Sequence, residues 1–163
     1  RLFAPLGMRG AAWSGHEGAV PHASVDGGFA ALPPPSHAVY PVVDLRASAR
    51  DLARFARAIL RGGELDGTRI LSARGVQAML QARPATPDHT LGWQVRVLGG
   101  ARVVGHEGED RGASTALFLD RDAAVGAVVL ANGDAFQSDD PARGAALGDL
   151  VVALLEAARA SSR

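Results

Sequence analysis

The sequence contains no cysteine, which excludes disulfides, thiol nucleophiles and thiolate metal ligands. It also contains no lysine, so all 17 of its basic residues are arginine. Seventeen acidic residues balance these arginines, and a net charge of zero offers no field that would attract a nucleic acid or an anionic membrane surface. No apolar run approaches the ~20 residues that a membrane-spanning helix needs. The sequence therefore predicts neither a nucleic-acid partner nor a membrane span.

What remains is an ordinary globular composition. Hydrophobic residues make up 47% of the 163 positions and charged residues 21%, which is enough for one buried core and too apolar for a disordered chain. The opening residues, Arg-Leu-Phe-Ala-Pro-Leu-Gly-Met, include neither an initiating methionine nor a signal peptide. We therefore expect the chain to begin inside a larger protein, and the cellular compartment stays open.

Helix signals lie in the middle of the chain. Residues 9–41 are rich in glycine, alanine and proline and predict an irregular surface segment without helix or sheet. Ser48 and Asp51 then have the spacing of a capping box, and apolar residues recur at helical spacing until two glycines at 62–63. A second, shorter helix is predicted after Ser72, which can cap its first turn.

Strand signals dominate the second half. Alternating apolar and polar residues predict a strand from Leu91 to Val97, a return strand at 102–105 and a third strand at 113–119. The apolar run at 124–131 predicts a strand that is covered on both faces, and Asp140 with Pro141 can begin a long final helix. Together these elements predict an α+β fold, an antiparallel β-meander with helices packed on it.

The tetrapeptide Gly-His-Glu-Gly occurs twice, at 15–18 and at 105–108. The second copy ends a predicted strand, which can hold His106 in a fixed orientation, whereas the first copy lies in a glycine-rich coil. A histidine at the end of a strand often has only a hydrogen-bonding role, and that alternative stays open for His106. The acidic residues that follow it lack the H-E-x-x-H spacing of a zinc site, so no metal is predicted.

Three groups of residues, taken in order, carry a resemblance to a known family. They are residues 1–8, the segments 40–63 and 67–72, and the pair formed by Val-Gly-His-Glu-Gly-Glu-Asp-Arg-Gly-Ala-Ser-Thr at 104–115 with Leu-Ala-Asn-Gly at 130–133. In this order and spacing they resemble the C-terminal portion of the serine β-lactamase and penicillin-binding-protein-like hydrolases. The branch that they resemble holds class C β-lactamases, esterases and D-aminopeptidases.

The resemblance implies the C-terminal part of the β-lactamase/transpeptidase-like fold. Residues 1–88 would belong to its helical region and residues 89–163 to its α/β region, as parts of one incomplete domain. The implied activity is that of a serine hydrolase that forms an acyl-enzyme from an ester, amide, peptide or β-lactam. No cofactor is implied.

The resemblance also implies roles for the residues around the second Gly-His-Glu-Gly. His106 and Gly108 match a His-x-Gly triplet at the wall of the active site, where the glycine lets the acyl group approach the backbone closely. The backbone N–H of Glu109 would donate to the oxyanion, and His106 would hold substrate or polarise the base network. Glu107 and Tyr40 are candidate substrate-binding residues, with a solvated side chain and a packing role as their respective alternatives.

The nucleophile of this family is missing from the chain. Its serine lies in an S-x-x-K motif, which a sequence without lysine cannot contain, and Tyr40 is followed by proline and valine instead of the x-Asn of a Y-x-N motif. The chain alone should therefore be inert. Its expected partners are a small acyl substrate and the missing N-terminal half of the parent protein or another copy. A non-catalytic binding or structural module derived from this fold is the alternative.

Overall fold

The computed structural model describes residues 2–13, 18–33, 44–134 and 141–162. The helices and strands within these ranges are, in chain order, β1 (His22–Val25), β2 (Gly28–Ala31), α1 (Ala49–Leu60), β3 (Glu64–Leu65), β4 (Thr68–Arg69), α2 (Ala73–Leu80), β5 (Gln94–Leu98), β6 (Ala101–Asp110), β7 (Ala113–Asp120), β8 (Val125–Ala131) and α3 (Pro141–Ser161). Strands β5 to β8 form one antiparallel sheet in sequence order, while β1–β2 and β3–β4 are separate hairpins. The predicted α+β fold, an antiparallel meander with helices packed on it, is confirmed.

Helices cover both faces of the four-stranded sheet. On one face α3 buries its apolar stripe against the sheet, in a cluster made of Val103, Ala116, Phe118, Ala127, Val129, Leu147, Val151 and Leu155. On the other face α1 and α2 pack in a second cluster made of Ala56, Ile59, Val76, Leu80, Trp93, Val104 and Leu119. Because neighbouring residues of a strand point to opposite faces, Val103 and Val104 belong to different clusters.

Two of the three predicted helix caps, Ser48 and Ser72, are present. The Ser48 hydroxyl accepts from the backbone N–H of Asp51 at 3.1 Å, and the Asp51 carboxylate accepts in return from the Ser48 N–H, which completes the capping box. At α2, the Ser72 hydroxyl accepts from the backbone N–H of Gly75 at 3.0 Å. Trp93, which follows α2, stacks on Phe55 of α1 with 6.1 Å between ring centroids, so it packs between the helices and the sheet.

Two predictions about strands are wrong. Residues 9–41 are not free of sheet, because Asp26 and Gly27 turn the chain between β1 and β2, with Gly27 at φ 83°. The return strand does not stop at Gly105, because pairing with β7 extends β6 to Asp110. The predicted N-cap at Asp140 lies outside the described residues.

A buried ion pair connects the end of β7 to α3. The Asp120 carboxylate, only 4% exposed, accepts from Nε of Arg159 at 2.7 Å and from the backbone N–H groups of Asp122 and Ala123 at 3.0 Å each. Burial raises the pKa of Asp120, but these hydrogen bonds outweigh burial and hold the pKa below its ordinary value.

Neither α3 nor any other described helix is long and apolar enough to cross a membrane.

Two glycine substitutions should have opposite effects on stability. A Cβ at Gly105 would overlap the carbonyl oxygen of Leu117 and the ring of Phe118, whereas a Cβ at Gly148 of α3 meets nothing within 4 Å. Gly105→Ala should cost about 1–3 kcal/mol of unfolding free energy through overpacking. Gly148→Ala should add about 0.5–1 kcal/mol through helix propensity. Urea unfolding of the intact protein measures both, and equal effects would contradict the close packing at Gly105.

The Asp120 pair should stabilise the fold only above acidic pH. Because the pKa of Asp120 is lowered in the folded protein, its contribution is present above the ordinary Asp pKa of about 3.9 and is lost as the pH falls through the folded value. Asp120→Asn should cost about 1.5–3 kcal/mol at pH 7, in the range of hydrogen bonds to charged groups. The cost should shrink below about pH 4. Unfolding at several pH values tests this, and a cost that does not depend on pH would contradict it.

Candidate functional site

The second half of β6 forms an open edge of the sheet. Strand β5 pairs with β6 from Leu98↔Ala101 only as far as Gln94↔Gly105. Pairing with β7 on the other side continues to Asp110↔Ala113. Within the described ranges no strand pairs with the outer side of residues 106–110, so this stretch offers backbone groups to a ligand in the way that an edge strand does.

The peptide group between Gly108 and Glu109 has its C=O on the β7 side and its N–H on the open side of β6. The Thr115 hydroxyl on β7 donates to the carbonyl oxygen of Gly108 at 3.3 Å, so this carbonyl points towards β7. No cis peptide bond occurs among the described residues, and in a trans peptide the N–H points opposite to the C=O. The N–H of Glu109 therefore points away from β7, towards the open edge. This is the direction that the predicted oxyanion donor requires.

His106 lies at the start of the open edge with an exposed side chain. Its Nδ1 contacts the carbonyl oxygen of Glu107. Because a carbonyl oxygen can only accept, a hydrogen bond at this contact requires a proton on Nδ1. Alternation along β6 places His106 and Gly108 on the sheet face that α1 and α2 cover further along the strand, at Val104.

The side chain of Glu107 lies on the opposite face from His106. Its carboxylate pairs with Arg96 of β5 at 3.2 Å, and both side chains remain 39–48% exposed. An ion pair of this exposure contributes little to stability. The substrate-binding role of Glu107 stays a prediction, and Tyr40, the other candidate substrate-binding residue, lies outside the described residues.

A glycine at position 108 is required by the neighbouring side chain on β7. A Cβ at this position would overlap Oγ1 of Thr115, its cross-strand partner. The space that a side chain would fill is therefore already occupied by a hydroxyl. In the sequence analysis, the only reason for a glycine here is that an acyl group approaches closely. The structure adds a second reason, the contact with Thr115.

A cavity of about 660 Å³ adjoins the open edge at its Asp110 end. Thr115 and Leu130 line it from the sheet, on the same face as Gly108, while Ser48 and Asp51 line it from the start of α1. Of the first Gly-His-Glu-Gly, only Gly18 lies within the described residues, and it also lines this cavity. The cavity therefore lies between the sheet and the start of α1, next to the candidate site.

A polar anchor that the sequence did not predict holds the β1–β2 hairpin beside the site. The Asp134 carboxylate accepts from the backbone N–H of Gly112, in the β6–β7 turn, and from that of Ser24 at 3.3 Å. The Asn132 amide donates to the Val20 carbonyl at 2.9 Å. The Leu-Ala-Asn-Gly motif at 130–133 marks this part of the chain, but nothing in it indicates the contacts that Asp134 makes.

No arrangement for binding a metal ion is found among the described side chains, where no three histidine or acidic residues come together. The four polar residues from His106 to Asp110 alternate between the faces of β6 and so cannot share one ion. The chemistry that this edge supports is hydrogen bonding to a carbonyl group, through the Glu109 N–H and the His106 ring.

Comparisons with known proteins identify the family and the fold of the chain. The family model described as beta-lactamase matches residues 1–151, which is most of the chain. No curated protein matches the sequence.

Three solved structures share the fold. The D-amino acid amidase from Ochrobactrum anthropi SV3, complexed with L-phenylalanine amide, has a TM-score of 0.70 and 22% identity over 100% of this chain and 50% of its own. The D-stereospecific amidohydrolase from Streptomyces sp. has a TM-score of 0.63 and 23% identity over 88% and 44%. The octameric penicillin-binding protein homologue from Pyrococcus abyssi has a TM-score of 0.64 and 20% identity over 80% and 32%. The chain thus spans 32–50% of the length of these structures.

Proposed function

Because the chain belongs to the beta-lactamase family, we propose that it forms one wall of the active site of a serine hydrolase. This enzyme forms and hydrolyses an acyl-enzyme, and its substrate is an ester, amide, peptide or β-lactam. The observation that carries the proposal is the open edge of β6, where the Glu109 N–H points outwards next to His106. An acyl carbonyl that lies along this edge meets a fixed hydrogen-bond donor without any movement of the backbone.

The residues of the open edge have separate roles in this proposal. The Glu109 N–H is half of the oxyanion hole, and the nucleophile's own N–H is the other half. Gly108 carries no side chain, and the Thr115 hydroxyl occupies its Cβ position from the β7 side, so the acyl group can approach the backbone from the open side of the edge. His106, exposed at the start of the open edge, holds the substrate or polarises the base that activates the serine.

The serine itself comes from another segment. An S-x-x-K motif cannot occur in a chain without lysine, and the chain spans only 32–50% of the related structures. We therefore propose that residues 1–163 are inert alone. The missing N-terminal half of the parent protein supplies the serine, the lysine and the Y-x-N motif.

Two adjacent features of the sheet suit this missing half. Strand β8 pairs only with β7 among the described strands, and its seven residues, Val125 to Ala131, carry no charge and no proline to block further pairing. Leu150 and Leu154 of α3 are 47% and 40% exposed. Glu156 lies on the flank of α3 that reaches the β5–β6 turn at Gly99. Leu150 and Leu154 lie on the opposite flank of the helix, so they face the other edge of the sheet, which is β8. The β8 edge and the apolar flank of α3 together form one surface, on which a strand and a helix of the missing half can pack.

Replacing His106 by alanine tests the proposed activity. In the intact protein, His106→Ala should lower kcat/KM by about ten- to a thousandfold, in the range seen when an active-site donor is lost. The measurement is steady-state hydrolysis of a p-nitrophenyl ester, a D-amino-acid amide and a β-lactam.

The matched control for this measurement is His89→Ala. His89 is exposed, its ring lies 3.2 Å from the exposed carboxylate of Asp88, and its backbone bridges to Gln94 of β5 and not to β6, so its loss should leave kcat/KM unchanged. Wild-type turnover in His106→Ala would contradict the role of His106. An intact protein that hydrolyses none of the three substrates would favour a non-catalytic binding module.

Exposed leucines on α3 allow a test of the partner surface. The chain alone should melt with low cooperativity, because its β8 edge and α3 flank are uncovered. Adding the missing half should give one compact, cooperatively melting species in size-exclusion chromatography and thermal melting. The double variant Leu150→Lys with Leu154→Lys should weaken this association.

Ala153→Lys, on the solvent side of the same helix, adds a charge without touching the apolar flank and should associate normally. If residues 1–163 alone form a compact monomer that melts cooperatively, the proposed partner surface is wrong. If the chain instead forms a stable dimer whose association the leucine variant abolishes, the occupant is another copy and not the missing half.

A further inference from the structure

We infer that Thr115 is a positioning residue for the oxyanion donor, an inference that rests on the proposed function. The Thr115 hydroxyl lies on the β7 side of the peptide between Gly108 and Glu109, opposite the open edge. It donates to the carbonyl oxygen of Gly108 at 3.3 Å, and this carbonyl belongs to the same peptide group as the Glu109 N–H. Thr115 thus acts on the proposed oxyanion hole through one planar peptide.

The hydrogen bond has two consequences for that peptide. A donor on the carbonyl side resists rotation of the peptide plane, which keeps the Glu109 N–H aimed at the open edge. A donor at the C=O also polarises the amide and increases the partial positive charge on its N–H, as in other chains of hydrogen bonds. The contact is partly buried, so water competes with it less than at a fully exposed site.

The pairing of Gly108 with Thr115 is specific to these two residue types. Oγ1 of Thr115 occupies the space that a Cβ at Gly108 would need, so only glycine lets the hydroxyl lie against this peptide. Threonine is stiff at χ1 because it is β-branched, and this stiffness keeps the hydroxyl in place at a small entropic cost. Valine has the same shape without the donor, and serine has the donor without the methyl group.

A purely structural role for Thr115 predicts a different outcome from a positioning role. Threonine and valine both favour strands, so if Thr115 only fills space between Gly108 and Leu130, Thr115→Val should be silent. If Thr115 positions the donor, Thr115→Val should impair the chemical step while leaving the fold intact. Thr115→Ser should then keep the function, since it keeps the hydroxyl.

The kinetic test compares these two variants in the intact protein with a p-nitrophenyl ester. Thr115→Val should lower kcat by about three- to tenfold with little change in KM, the effect of losing one neutral hydrogen bond that matters mainly in the transition state. Thr115→Ser should restore kcat to within about twofold of the wild type. Equal kcat values for the wild type and Thr115→Val would overturn the inference.

A spectroscopic test does not depend on turnover. In the labelled intact protein, Thr115→Val should move the ¹³C resonance of the Gly108 carbonyl and the ¹⁵N resonance of the Glu109 amide, whereas Thr115→Ser should leave both near their wild-type positions. Unmoved resonances in Thr115→Val would show that the hydroxyl does not act on this peptide.

The two tests separate the possible failures. If the wild-type protein hydrolyses the ester but Thr115→Val matches it in kcat, only the role of Thr115 is wrong. If the wild-type protein is inactive on every acyl substrate, the proposed function fails, and the oxyanion role of the Glu109 peptide fails with it.

Discussion

Pairing of β6 with β7 continues to Asp110, whereas pairing of β6 with β5 stops at Gly105. The candidate site consists of residues 106–110, which pair with β7 but not with β5. Over this stretch one side of β6 is fixed by the sheet while the other side faces outwards. The Gly108 carbonyl is held by β7, so the Glu109 N–H of the same peptide points to the free side. A backbone donor held in this way needs no reorganisation when charge develops on a substrate oxygen.

The packing of the sheet keeps this edge in position. Two apolar clusters cover opposite faces of the sheet. Val103 of β6 packs in the cluster with α3, and Val104 packs in the cluster with α1 and α2, so β6 is held from both faces. The Asp120–Arg159 pair fastens α3 to the far end of β7. At the other end of β7, the Asp134 carboxylate fastens the β6–β7 turn through Gly112. A rigid strand between two fixed ends suits a site that depends on the direction of one N–H group.

Local signals in the sequence predicted local structure well. The capping box at Ser48, the order of the four strands and the strand that carries His106 all follow from residue type and spacing. The β1–β2 hairpin was missed because glycine and proline outweighed its Asp26-Gly27 turn, although Asp-Gly is a strong hairpin signal. The contact of Thr115 with Gly108 could not be predicted, because it depends on the exact register of the β6–β7 hairpin. The contact of Asp134 with Ser24 could not be predicted, because it joins segments that are distant in sequence.

Covalent trapping tests the central claim most directly. The intact protein would be mixed with a slowly hydrolysed β-lactam or an activated ester, quenched within the first turnover and mapped by peptide mass spectrometry. The account predicts one acyl adduct, on a serine of an S-x-x-K motif that lies outside residues 1–163, with less adduct when His106 is replaced. An adduct on a residue of this chain, or no adduct with any acyl donor, would contradict the claim that the β6 edge is one wall of a serine hydrolase site.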